Sequence, residues 1–100
     1  MQHIALLRES ETGDELAAFD EAGIDLRIVT RASGFTSCLR FIDPYGDTIF
    51  NKLQIPVLLS ELEDLRAQSK ETDLRENIDR VVDFLRQSQD VHAYVRFVGD

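Results

Sequence analysis

Between Leu53 and Leu85 apolar residues recur twice at helical spacing, and no other feature constrains the fold as strongly. In the first run Leu58, Leu62 and Leu65 form one stripe, with Ile55 and Leu59 beside them. Pro56 suits the first turn of this helix, where its missing N–H has no partner to lose. The spacing predicts a helix over Leu53–Ser69. In the second run Leu74, Ile78, Val81, Val82 and Leu85 make one helical face, with Asp73 as N-cap and Glu76 as its capping-box partner. Arg75–Asp79 and Glu76–Arg80 read as i,i+4 pairs on the solvated side, stabilising by roughly a few tenths of a kcal/mol each. Two striped helices joined by a short polar connector must bury their stripes, and one face of a sheet is the economical answer.

The strands are sought on either side of the helices. His3–Arg8 is a short apolar run, followed by a turn signal at Ser10-Glu11-Thr12-Gly13-Asp14. Glu15–Ala22 fits two descriptions. It completes an N-terminal hairpin as a strand, or it forms a helix capped by Asp14 and stopped by Gly23. The turn spacing favours the strand. Asp25–Arg31 alternates around Leu26, Ile28 and Thr30, is rich in β-branched residues, and predicts a strand. Ala32–Thr36 reads as a loop. Cys38–Lys52 predicts a central hairpin around Asp43-Pro44-Tyr45-Gly46, with Gly46 at positive φ. In that register Phe41, Ile49 and Leu39 share one face, while Arg40, Phe50, Ile42 and Cys38 share the other. Val91–Val98 alternates as a closing strand, with Val91, Ala93, Val95 and Phe97 toward the helices. The expected architecture is α+β: a two-layer sandwich of a mostly antiparallel sheet of about five strands on a two-helix hairpin. The C-terminal strand returns to the sheet, and residues 1–100 form a single domain.

Composition narrows the functional classes. The chain has 100 residues, 43% of them apolar, with no apolar run long enough to span a membrane and no secretory signal at MQHIALLRESE. A lone Cys38 suits a reducing compartment, so the expected location is the cytoplasm. Nineteen acidic against 11 basic residues give a formal charge of −8. Such a field repels nucleic acid and attracts basic proteins, although acidity also serves plain solubility. Its distribution is more telling. Glu9, Glu11, Asp14, Glu15, Asp20, Glu21 and Asp25 fall in one stretch without a single Lys or Arg. Glu11, Asp14, Glu15, Asp20 and Glu21 are therefore the leading candidates for contact with a basic partner, against a solvated edge as the plainer alternative.

A second candidate is the sheet face opposite the helices, where Arg40, Phe50, His92, Tyr94 and Arg96 are expected to point together. Arg, Tyr and Phe are enriched at binding hot spots, and this face suits a small anionic ligand or a second copy of the chain. Monomer and homodimer both stay open. Asp43 with Asp47 is too small a set for a cation site, and the pair reads as turn chemistry. His3 with His92 lacks a third ligand for a metal, and Cys38 is read as a small core side chain before a nucleophile. Phosphate-loop, GxSxG, HExxH and paired CxxC motifs are missing. The expectation is a non-enzymatic chain without cofactor or metal.

At CLRFIDPYGDTIFNKLQIP and the terminal HAYVRFVGD the chain resembles a group of small bacterial proteins of uncharacterised function. That resemblance spans the C-terminal two-thirds and carries no catalytic residue. In general character, small, acidic and α+β, the chain is similar to immunity proteins of bacterial toxin systems. This likeness implies binding and neutralisation of a cognate, basic toxin.

Overall fold

Strands β1 (Ala5–Ser10), β2 (Glu15–Ala18), β3 (Asp47–Phe50) and β4 (Ala93–Val98) form one antiparallel sheet in the order β2-β1-β4-β3 in the computed structural model. It describes residues 3–35, 37–87 and 93–99. Among the described residues three helices accompany the sheet, where a two-helix hairpin is expected: α1 (Leu26–Thr30), α2 (Ile55–Gln68) and α3 (Thr72–Arg86). The C-terminal strand is central, pairing with β1 on one side and β3 on the other. Its Ala93, Val95 and Phe97 turn inward as their alternation predicts, while Val91 lies outside the described residues.

The helical stripes meet this inner face. Leu58, Leu62, Leu65, Leu74, Ile78 and Leu85 share a core with Leu6, Phe50, Val95 and Phe97, all nearly or wholly shielded from solvent. Each such side chain contributes about 1.5–3 kcal/mol by leaving water. Phe50 and Phe97 meet edge to face, centroids 5.9 Å apart. Across the helix pair, Arg66 bonds Asp79 at 2.6 Å and Arg86 bonds Glu63 at 2.7 Å. Asp79 thus pairs with α2 and not, as its spacing suggests, with Arg75. From β1, Arg8 donates to the Gln87 carbonyl (2.6 Å) at the end of α3 and lies over the Phe84 ring.

Helix starts differ slightly from expectation. Asn51 Oδ1 accepts from the N–H groups of Leu53 and Gln54, and Gln54 Oε1 accepts from Asn51 N–H. This reciprocal cap holds a turn, so α2 proper begins at Ile55. Helix α3 begins at Thr72, which puts Asp73 in its first turn and leaves Glu71 at the cap position.

Two of the six segments expected as strands are not strands, so among the described residues the sheet has four strands and not about five. Leu26–Thr30 is helical despite its β-branched residues. Asp25 caps it by accepting from Arg27 N–H at 2.9 Å, and the Asp25 N–H itself donates to Asn77 of α3 at 2.9 Å. Arg27 then bridges Asp25 and Asp73, both at 2.7 Å, and clamps α1 to α3. Leu39–Phe41 is a turn of 3-10 helix and not a strand. The Glu61 carboxylate, buried on α2, accepts from the N–H groups of Cys38 (2.7 Å), Leu39 (3.0 Å) and Ser37 (3.3 Å). With those donors turned toward α2, they are not available to a ladder, and β3 pairs with β4.

The Asp43–Gly46 turn survives without its hairpin. Asp43 Oδ1 accepts from Tyr45 N–H at 2.8 Å, but Gly46 does not take positive φ; among the described residues Gly13 and Gly23 do. Gly99, directly after β4, donates to the Gly46 carbonyl at 2.8 Å. A Cβ on Gly99 would stand 2.5 Å from the Pro44 carbonyl, so DPYG and VG are matched halves of one close contact.

Candidate functional site

The acidic stretch forms one margin of the sheet. β2 is an edge strand, and the turns before and after it carry the remaining carboxylates. Ser10 Oγ accepts from the N–H groups of Thr12 (3.3 Å) and Asp14 (3.1 Å), and Thr12 donates to Asp14 Oδ2 (3.0 Å). After the strand, Asp20 Oδ1 accepts from Ala22 N–H at 3.0 Å. Gly23 follows at φ 75°, with Ile4 O well inside van der Waals contact of where a Cβ would sit, and Ile24 N–H donates to that same carbonyl. His3 Nε2 donates to the Glu21 carbonyl at 2.8 Å.

These bonds fix the backbone while leaving the carboxylates at the surface. Glu11, Asp14, Glu15, Asp20 and Glu21 are all exposed. Asp14, Glu15, Asp20 and Glu21 take part in no ion pair among the described residues. The two ends of the stretch behave differently. Asp25 is engaged with Arg27, whose hydrogen bond holds its carboxyl below the usual range, and Glu9 is engaged with Arg96.

The open sheet face carries Leu7 and Glu9 of β1, Tyr94 and Arg96 of β4, and Asp47 and Ile49 of β3. Cross-strand pairing sets Glu9 beside Tyr94, and Arg96 between Leu7 and Ile49. Arg96 Nε donates to Glu9 at 2.8 Å and its Nη1 to Asp47 at 2.7 Å, so two carboxylates flank one guanidinium. Their bonds, Glu9 first, keep Arg96 firmly charged. Beside this triad lies a depression of about 210 Å3 lined by Glu9, Ser10, Gly13, Ile49 and Tyr94 among others.

Of the second candidate set, Tyr94 and Arg96 do share this face, and His92 lies outside the described residues. Phe50 does not: its pairing with Val95 turns it into the core at 4% exposure. Arg40 does not either, because its segment is a 3-10 turn, where its guanidinium lies over the Phe41 ring at 5.2 Å. An anion approaching Arg96 meets Glu9 and Asp47 first. Asp43 and Asp47 are likewise committed, one to its own turn and one to Arg96.

Cys38 is buried, and that burial, with the Glu61 carboxylate second, raises its thiol pKa. A thiol held protonated is a poor nucleophile. Sequence reading missed Glu61, whose signal is a carboxylate set on the apolar stripe between Leu58 and Leu65. Among the described residues no helix is long and apolar enough to cross a membrane. No family model, curated protein or solved structure matches this chain.

Proposed function

We infer that this chain is a non-enzymatic protein-binding domain that meets a basic protein through its acidic edge, most concretely as an immunity-type inhibitor of a basic bacterial toxin. One observation carries the reading. Glu11, Asp14, Glu15, Asp20 and Glu21 stand exposed on β2 and its flanking turns, on backbone fixed by local hydrogen bonds. An anchored cluster of one sign steers an oppositely charged protein and orients it before contact. Charge on a rigid edge also loses little conformational entropy when a partner arrives.

The partner complementary to this edge carries a cluster of Lys and Arg, as nucleic-acid-cleaving toxins do at their phosphate-binding clefts. Occupying that cleft with carboxylates is a sufficient mechanism of inhibition. The chain and a triple Glu15→Lys/Asp20→Lys/Glu21→Lys variant would be used as baits in lysate of the native cell. The expected result is a basic protein held by the wild type and released by the variant. Expressed alone, that protein arrests growth, and co-expression with the chain restores it. Equal retention by both baits, or a captured protein that leaves growth untouched, overturns the reading.

A further inference from the structure

We propose that β3 is a self-association edge, through which two copies pair antiparallel and merge their sheets into one. The two margins of the sheet are built differently. β2 carries Glu15 and is flanked by Asp14, Asp20 and Glu21, and its pairing with β1 is interrupted by a register shift at Arg8/Glu9. Charge and irregularity of this kind keep other strands away. β3 has neither proline nor lysine, and its one carboxylate, Asp47, is paired with Arg96.

Among the described residues no strand pairs with the outer side of β3. Gly99 N–H donates to the Gly46 carbonyl, which sets the ladder alternation for the Asp47↔Val98 register. Positions 46, 48 and 50 therefore bond β4, and Asp47 and Ile49 direct their N–H and C=O groups outward. Exposed apolar side chains collect here: Ile49 on the strand (49% exposed), Tyr45 before it (75%) and Leu53 after it (81%).

Charge selects the occupant. The segment runs from Asp43 and Tyr45 at one end to Lys52 and Leu53 at the other. Antiparallel pairing about Thr48 sets Asp47 of each copy opposite Ile49 of the other, giving about four backbone hydrogen bonds. It also brings Lys52 and Leu53 of one copy beside the Asp43–Tyr45 turn of the other: cation beside carboxylate, and leucine beside tyrosine, twice. A segment with opposite charges at its two ends is complementary to itself when reversed. The like-charged β2 edges end at the far margins of an eight-strand sheet, about 34 Å apart at the usual strand spacing. That separation is several times the screening length, so the carboxylates of the two β2 edges do not oppose pairing. The proposal uses the opposite margin from the acidic edge and does not rest on the toxin reading.

Light scattering on the intact chain, from micromolar to millimolar concentration, tests it. The mass is expected to rise from 11.4 kDa toward twice that value. Ile49→Lys and Lys52→Glu, both at exposed positions, return it to the monomer, and Glu15→Lys on the other edge leaves the dimer intact. Amide exchange needs no substitution. The Asp47 and Ile49 amides slow by about tenfold or more as concentration rises, because only the second copy can bond them. A monomer at every concentration, a dimer that survives both Ile49→Lys and Lys52→Glu, or one abolished by Glu15→Lys overturns the proposal.

Discussion

Removing the Glu61 carboxylate should destabilise the chain far more than removing any surface acid. In Glu61→Ala the N–H groups of Cys38 and Leu39, held at 2.7 and 3.0 Å, lose their acceptor, and the longer bond to Ser37 goes with them. A hydrogen bond to a charged group contributes roughly 1.5–3 kcal/mol, and a buried donor left unpaired adds its own desolvation cost. Burying the carboxylate is itself unfavourable, which offsets part of the gain. A net loss of about 3–5 kcal/mol follows, out of the ~5–15 kcal/mol expected for a whole domain. Glu61→Gln keeps one acceptor oxygen without the charge and should lose about 1–2 kcal/mol. Glu63→Ala, two residues along, breaks only an exposed pair with Arg86 and should lose at most about 1 kcal/mol. Urea unfolding followed by helical circular dichroism ranks the three variants directly. Were Glu61→Ala to match Glu63→Ala, Glu61 would not be what turns Leu39–Phe41 away from the sheet.

Acid should weaken the fold through the Arg27–Arg31 cluster. A hydrogen bond from Arg31 lowers the Glu71 pKa from 4.5 to about 2, and bonds from Arg27 lower those of Asp25 and Asp73. A depressed carboxylate stabilises the folded state above its unfolded pKa, and this is lost as pH falls from 4.5 toward about 2. The melting temperature should decline across that window, less so in Glu71→Gln; a flat profile contradicts the assignment. Gly23→Ala meets both positive φ and the Ile4 carbonyl, whereas Gly13→Ala has positive φ in open space. Melting should therefore fall by about 10 °C or more in the first and by about 5 °C in the second, and equal shifts would contradict the close approach. Cys38, buried with a raised pKa, should react with a thiol reagent at least about a thousandfold more slowly in folded than in denatured protein; comparable rates would place it at the surface.

What could be read from sequence was local, and what could not depends on distant contacts. The stripes of α2 and α3 and the alternation of β4 repeat at short range, so their faces were legible. Leu26–Thr30 was not, because distant contacts hold its helix: Asn77 of α3 accepts from the Asp25 N–H, Ile28 enters the core, and Arg27 reaches Asp73. Leu39–Phe41 was missed for the same reason, its N–H groups being claimed by Glu61 on α2. The misplacement of Phe50 and Arg40 follows from that one error. Once Cys38–Ile42 is no strand, the face of Phe50 is decided by Val95. Exposure of Glu11, Asp14, Glu15, Asp20 and Glu21 needed no topology, since a stretch without cations has no local means of neutralising itself. Arg96 looked like an anion-binding group because its carboxylate neighbours, Glu9 and Asp47, are remote in the chain.

Association kinetics give the sharpest test of the acidic edge. With the basic partner in hand, stopped-flow rates would be measured from about 25 to about 500 mM salt for the wild type and the Glu15→Lys/Asp20→Lys/Glu21→Lys variant. The wild-type rate should fall by about tenfold or more over that range, while the variant starts slow and barely responds. A wild-type rate indifferent to salt, or a variant that associates as fast, would show that the partner is met by some other surface.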